Sequence, residues 1–295
     1  MRPVPRTPGS IAQIACLLEA TARKPGNVHR FRDFSDSHYL DFGLSALAIG
    51  PALDRARAEG VGAAVLAAVQ ATRTLVATNT NLGMILLLAP LAAVPDAEPL
   101  GPGVERVIGA TTVGDARQVF EAIRRAGAGG LGSAPEQDLS GEPTVTLRDA
   151  MRLAAGRDSV ARQYANGFDD VLGLALPWLS ASLGAGDPLE TAIVSAHLHV
   201  LARLPDTLIA RKRGRAEALG ASRLASEVLA GGWPGRPEGV RLCKEFDRWL
   251  RAEGHGRNPG TTADLVTAAL FAGLRDGVIA LPIGKAAWAG PADLA

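Results

Sequence analysis

Five short polar clusters interrupt a largely apolar chain, and each joins residue types that can hold an anion, a base or a metal. The first is Lys24-Pro25-Gly26-Asn27-Val28-His29. Proline and glycine stop a helix there, and the same turn sets a cation beside polar side chains, which suits phosphate or base recognition. The second is Asn79-Thr80-Asn81 followed by Gly83, between two apolar segments. The asparagines can cap a helix. They can also face a ligand, because Gly83 permits close backbone approach.

The third cluster begins at Asp158. Ser159, Gln163, Asn166 and Asp170 share one stripe at helical spacing and Tyr164 lies on another. This is either a solvated face or a polar wall in which Asp169 and Asp170 hold Mg²⁺, a hard ion that prefers oxygen. The pair does not continue as DDxxD. The fourth is Asp206-Thr207 with Arg211, Lys212, Arg213 and Arg215. Such a charge run is either a solvated turn or a grip on phosphates, for which the planar arginine fork is suited. Thr207 and Arg211 share a helix face. The fifth runs Asn258-Pro259-Gly260-Thr261-Thr262-Ala263-Asp264. Thr261 and Asp264 fit a capping box, and a turn entering a helix also offers free N–H groups to an anion. Asp264 is free to bind metal or a ribose hydroxyl instead.

His197 and His199 are two apart on an expected helix, so they face different ways and make no zinc pair. GxSxG, HExxH, GxxxxGK[ST] and a βαβ GxGxxG are all missing, which removes the common hydrolase, zincin and P-loop templates.

The elements that must position these clusters are helices. Apolar residues recur at three-to-four spacing rather than in alternation. The pattern predicts helices over 10–23, from 37 to before Pro51, and over 61–78, 82–93, 113–126, 158–176, 188–203, 207–230, 237–253 and 262–275. A capping box at Thr146–Asp149 opens one more short helix. Residues 95–103 read as a linker and 127–143, rich in Gly, Pro and Ser, as a surface loop. The expectation is one all-α domain, 1–295, a bundle of about ten helices.

Of 295 residues 47% are apolar, 21% charged and 4% aromatic, which is enough to bury a large core. The formal net charge of +1 gives no footprint for nucleic acid. The longest apolar run, 82–94, is short of the ~20 residues of a bilayer span, and the Pro-rich start does not resemble a signal peptide. Two cysteines, Cys16 and Cys243, with no CxxC, point to a reducing compartment, hence the cytoplasm. The Ala-rich helices are compatible with a homodimer.

Taken in order, the five clusters resemble the triphosphoribosyl-dephospho-CoA synthase family, which includes the citrate-lyase and malonate-decarboxylase prosthetic-group enzymes. The resemblance spans residues 14–276. The family's Pro-Lys-Pro-Gly segment is similar to Arg23-Lys24-Pro25-Gly26-Asn27. Its Asn-Thr-His-Lys-Gly segment is similar to Asn79-Thr80-Asn81-Leu82-Gly83, and its Asp-x-x-x-x-Gln-Tyr region to Asp158 through Gln163-Tyr164. Its Asp-Thr segment with a later basic residue and Gly looks like Asp206-Thr207 with Arg213-Gly214. Its Ser-Pro-Gly-Gly-x-Ala-Asp-Leu segment looks like Asn258 through Leu265. Asn81-Leu82 stand where the family has His-Lys, and Thr261 stands for its second glycine.

The resemblance implies transfer of the triphosphoribosyl group of ATP to 3′-dephospho-CoA with release of adenine, through an oxocarbenium-like transition state. Asp206 and Asp264 are then the candidate catalytic carboxylates. Lys24, Pro25, Gly26, Asn27, Asn79, Thr80, Asn81, Gly83, Gln163, Tyr164, Thr207, Arg211, Arg213, Asn258 and Gly260 are the expected substrate contacts. Mg²⁺ is expected with ATP. Two other readings stay open at this point. One is a related ATP-dependent transfer in making another cofactor, such as a one-carbon carrier; the other is a helical nucleotide-binding protein without turnover.

Overall fold

The computed structural model describes residues 6–127 and 141–288; most of the expected 127–143 loop falls outside the described residues. Among the described residues there are helices and no strand. In chain order they are α1 (Pro8–Thr21), α2 (Tyr39–Asp54), α3 (Ala56–Glu59), α4 (Val61–Leu75), α5 (Leu82–Ala92), α6 (Leu100–Gly109), α7 (Val113–Ala126), α8 (Leu147–Ala154) and α9 (Ser159–Asn166). A π-helical turn, Asp170–Ala175, follows. Then come α10 (Leu176–Gly184), α11 (Leu189–Arg203), α12 (Thr207–Arg213), α13 (Arg215–Ala230), α14 (Pro237–Arg251), α15 (Gly260–Arg275) and α16 (Lys285–Trp288). The all-α expectation holds.

Local chemistry explains where the boundaries differ from the sequence pattern. The helix expected over 207–230 breaks at Gly214, whose φ of 92° no side-chain-bearing residue adopts easily. The helix expected over 158–176 ends at Gly167 (φ 70°) and Phe168 (φ 67°), and the chain resumes as the π turn. The 95–103 linker is shorter than expected. Its prolines lie before α6 or within the first turn, where the missing N–H has no intrahelical acceptor anyway.

Two prolines sit inside helices, Pro51 in α2, where the pattern ends the helix, and Pro90 in α5, within the helix predicted over 82–93. Each orphans the carbonyl four residues earlier, and in each case a side chain from another helix takes that carbonyl. Gln13 Nε2 donates to the Leu47 carbonyl at 2.7 Å, and the Tyr164 hydroxyl donates to the Leu86 carbonyl at 2.6 Å. Tyr164→Phe should therefore destabilise the protein by about 1–3 kcal/mol, the usual cost of an unsatisfied buried polar group. Adding Pro90→Ala, which restores the N–H, should recover most of it. Urea unfolding of the two variants decides this, and a double variant no better than Tyr164→Phe would refute the pairing.

α5 is apolar all round and buried along nearly its whole length, so it forms the axis of the larger core. α1, α2, α4, α9 and α15 pack around it. A second core joins α11, α12, α13 and α14. α11 is the wall between the two. Ala192, Ile193, Ala196 and Val200 face the first core, while Val194, Leu198 and Leu201 face the second.

Candidate active site

The segment from Asn258 into the first turn of α15 ties three of the other clusters together, and α12 brings in the fourth. Asn27 Nδ2 donates to Asn258 Oδ1 at 2.6 Å. Gly26, at φ 75°, packs so tightly that a Cβ would lie 2.7 Å from Leu250 Cδ1 and 2.9 Å from Pro259 Cδ. The Gly26 N–H donates to Asp247 Oδ1 at 2.8 Å, and Arg251 binds both Asp247 and the Asn27 carbonyl. The first cluster is thus a turn fixed against α14 and the entry to α15. Its proline and glycine serve that geometry.

Asp206 clamps the fourth cluster to the fifth. Its Oδ1 accepts the N–H groups of Leu208 (2.8 Å) and Ile209 (3.0 Å), capping α12. Its Oδ2 accepts the N–H (2.7 Å) and hydroxyl (2.8 Å) of Thr262 in α15. Burial raises its pKa, and these four hydrogen bonds oppose that rise. Thr207 Oγ1 donates to Thr261 Oγ1 at 3.2 Å and accepts the Ser159 N–H at 3.2 Å, which brings in the third cluster. Asp158 caps α9 through Oδ1 and lies 3.6 Å from Arg211 through Oδ2.

The second cluster meets the fifth at Gly83. A Cβ on Gly83 would fall inside the Asp264 carboxylate, 2.5 Å from its Cγ. Asp264 therefore lies on the first turn of α5, where the helix has N–H groups without intrahelical acceptors. Asn79 Oδ1 takes one of them, from Leu82, at 3.2 Å. Thr80 bonds Ser45 at 2.5 Å, and Asn81 bonds Thr72 (3.2 Å) and the Ser45 carbonyl (3.4 Å). These three residues build the turn that presents Gly83.

Asp264 differs from every other carboxylate of the cleft. It has no hydrogen-bond or ion-pair partner among the described residues, and it is only partly covered. Its pKa lies well above the ordinary carboxylate value. Burial is the main cause, the negative charges of Glu19, Asp206 and Asp158 add to it, and Arg211 opposes. Glu19 stands behind it on α1, buried, its own pKa raised by burial and pulled back by Lys24.

Lys24, expected at the substrate, is instead fully buried beneath the site. Its Nζ binds Glu19 Oε1 at 2.9 Å, the Glu19 carbonyl, and the Ala22 carbonyl at 3.3 Å. Tyr164 is likewise fully buried, on the Leu86 carbonyl. Arg213 points to Glu253, and Gly260 packs on Leu208. Gln163 is buried and donates to the Ser159 carbonyl (3.0 Å) and to Asp170 (2.5 Å); its Oε1 has no partner. Glu19 was missed in the sequence because a lone acidic residue inside an apolar helix carries no motif.

Asp169 and Asp170 do not fit a magnesium site. Asp170 Oδ2 is taken by the Arg162 guanidinium at 2.7 Å and by the amides of Gln163 and Asn166. Asp169 is exposed. A guanidinium on the shared oxygen repels a second cation. Among the described residues no group of three or more His, Cys, Asp or Glu is placed to hold a metal ion.

The histidines stand apart from this chemistry. His199 stacks on Trp178 with ring centroids 3.4 Å apart. His197 is fully buried with neither ring nitrogen partnered. Burial and the Lys24 charge lower its pKa to about 3; burial lowers His199 to about 4 and His29 to about 3. A folded-state histidine pKa below the unfolded value of about 6.5 means that the unfolded chain binds more protons in between. Stability should accordingly fall as pH drops from about 6.5 toward 4. His197→Leu should stabilise the protein at pH 7 by about 1–2 kcal/mol, because it removes an unsatisfied buried group, and should flatten the acid slope. Urea titrations at pH 7 and pH 5 check both effects; a destabilised His197→Leu would show that the ring nitrogens are used.

Residues 5–280 match the family model described as CitG, ATP:dephospho-CoA triphosphoribosyl transferase. A Pseudomonas fluorescens protein carrying the name "probable 2-(5''-triphosphoribosyl)-3'-dephosphocoenzyme-A synthase" is 31% identical over 82% of this chain and 73% of its own length. A Pseudomonas putida protein of the same name is 31% identical over 45% of this chain and 48% of its own length. A Pseudomonas paraeruginosa relative, 34% identical, is matched over 42% of its length, so this chain aligns with about half of these two curated relatives. A crystal structure assigned to a triphosphoribosyl-dephospho-CoA synthase from Archaeoglobus fulgidus superposes with a TM-score of 0.63 and 26% identity, covering 79% of this chain and 98% of that one. On the strength of the family match over nearly the whole sequence, this chain belongs to the CitG family.

Proposed function

We propose that the chain transfers the 5-triphosphoribosyl group of ATP to a ribose hydroxyl of 3′-dephospho-CoA and releases adenine. One observation carries the reading. The five segments that resemble the family converge on the start of α15 and leave Asp264 as an unpaired carboxylate beside the first turn of α5. Glycosyl transfer from a nucleotide needs little else from side chains: an anion seat, and a carboxylate beside the breaking C–N bond. Arg211, beside Asp158 and near Asp264, and the first turn of α5 are the groups at this junction that a triphosphate would use. Magnesium enters as part of the ATP complex, hence with the substrate. Asp206, with both oxygens committed to backbone and Thr262, holds α12 against α15 and stays out of the chemistry.

No helix among the described residues is long and apolar enough to cross a membrane. The two free, buried cysteines suit a cytoplasmic setting. Exposed Leu40 and Leu47 on α2 offer a face for a homodimer.

Incubation with ATP, magnesium and dephospho-CoA, followed by chromatography, tests the reaction. The expected products are free adenine and a conjugate containing the whole triphosphoribosyl mass. Adenine that forms only when some other acceptor is supplied would reject dephospho-CoA as the acceptor.

A further inference from the structure

The geometry points to Asp264 as the general acid that protonates the departing adenine ring. This rests on the transferase reading above and adds the role of one residue to it. Three features of the structure carry it. First, among the described residues Asp264 has no donor or cation bound, whereas Asp206 is held by four donors, Asp158 by a cap and Arg211, and Glu19 by Lys24. A carboxylate built to stabilise positive charge would be kept ionised by such partners; this one is left without them.

Second, room has been made for it. α5 carries no side chain at Gly83, and the Asp264 carboxyl occupies that space. Third, the turn that binds the entry to α15 holds a buried polar atom without a partner. Asn27 is 6% exposed, its amide is oriented by Asn258, and its Oδ1 has no partner. Turning the amide over would exchange the orphan oxygen for an orphan nitrogen, so one buried polar atom of that pair is left over in either orientation.

The charged groups that face Asp264 are Glu19 from α1, Asp158 from the cap of α9, and Asp206 and Arg211 from α12; Cys16 on α1 is buried nearby as a thiol whose pKa is pushed up. Burial and the negative charges of Glu19, Asp206 and Asp158 raise the Asp264 pKa and so favour its protonated form, while Arg211 opposes. The step balances without any other reagent. As the C1′–N9 bond breaks, its electron pair passes to the base and the Asp264 proton moves to a ring nitrogen, so neutral adenine leaves. The acceptor hydroxyl oxygen bonds to C1′ and its proton passes to solvent. Asp264 regains a proton from solvent before the next turnover.

A leaving group that needs no proton separates this role from a merely structural one. ATP methylated at N7 carries a positive charge on the base and departs without acid help. Asp264→Asn should lose roughly 10³-fold in kcat with ATP, within the range of general-acid contributions, and less than 10-fold with 7-methyl-ATP. Equal losses on both nucleotides would overturn the assignment. The unaltered enzyme supplies a second test that does not depend on the variant folding. Its kcat with ATP should fall as pH rises through the raised pKa of Asp264, as the acid is deprotonated, while kcat with 7-methyl-ATP stays level. Parallel profiles would also sink it. If the unaltered enzyme releases no adenine from ATP with any acceptor, the transferase reading itself fails, an outcome distinct from a transferase whose two nucleotides respond alike.

Discussion

Gly83→Ala is expected to lower adenine release by at least roughly 10²-fold while the protein stays folded. The added methyl group would occupy the position of the Asp264 carboxyl, 2.5 Å from Cγ, so the carboxyl has to move by about its own width. A displacement of about 1 Å at a reacting group can cost about 10²-fold in rate. Helix propensity works the other way, since alanine is favoured over glycine inside a helix by about 1 kcal/mol. The loss should therefore appear in kcat with little change in melting temperature. Gly43→Ala in α2 is the control. Nothing lies within 4 Å of its would-be Cβ, so it should gain slightly in stability and keep full activity. If the two variants turn over alike, Asp264 does not depend on the space above α5.

Lys24→Met should be among the most destabilising single changes in the chain. Lys24 and Glu19 are both buried, and the lysine ammonium is satisfied by the carboxylate and two carbonyls. Removal of one partner from such a pair leaves an uncompensated charge, which typically costs about 3–5 kcal/mol. Replacing both, as Lys24→Met with Glu19→Leu, removes the charge and its desolvation together and should restore most of the stability. Denaturant unfolding of the three variants measures this. A Lys24→Met variant that loses less than about 1 kcal/mol would mean that the ion pair is not the state of the folded protein.

The sequence marked the segments that meet at the start of α15, because polar residues in an apolar helical chain need a reason to be there. The joining of Asn27 to Asn258, of Thr207 to Thr261 and of Gly83 to Asp264 follows segments already marked by composition. What it did not show was the direction in which each residue points. Lys24 and Tyr164 stand in the marked segments yet turn inward, one to neutralise Glu19 and the other to satisfy a carbonyl freed by Pro90. Nothing in local spacing separates Asp206 from Asp264, since both precede or open helices. The difference is tertiary: α15 supplies donors to the first and none to the second. Helix boundaries were misread for a similar reason. Pro51 ends a helix by local rules, and only a glutamine two helical turns into α1 makes its continuation tolerable. At Gly214 the flanking residues favour helix on both sides, and only the backbone angle reveals the break.

α11 has a consequence for any attempt to simplify the molecule. From Leu189 through Leu198 every residue of this helix is buried, because one side belongs to the core around α5 and the other to the core of α12, α13 and α14. A cut on either side of it would expose buried apolar residues of one core or the other to water, so neither half can be lifted out as a well-behaved fragment. The five clusters meet where α12 from one half packs on α15 from the other, so any change in how the halves pack reaches that junction directly.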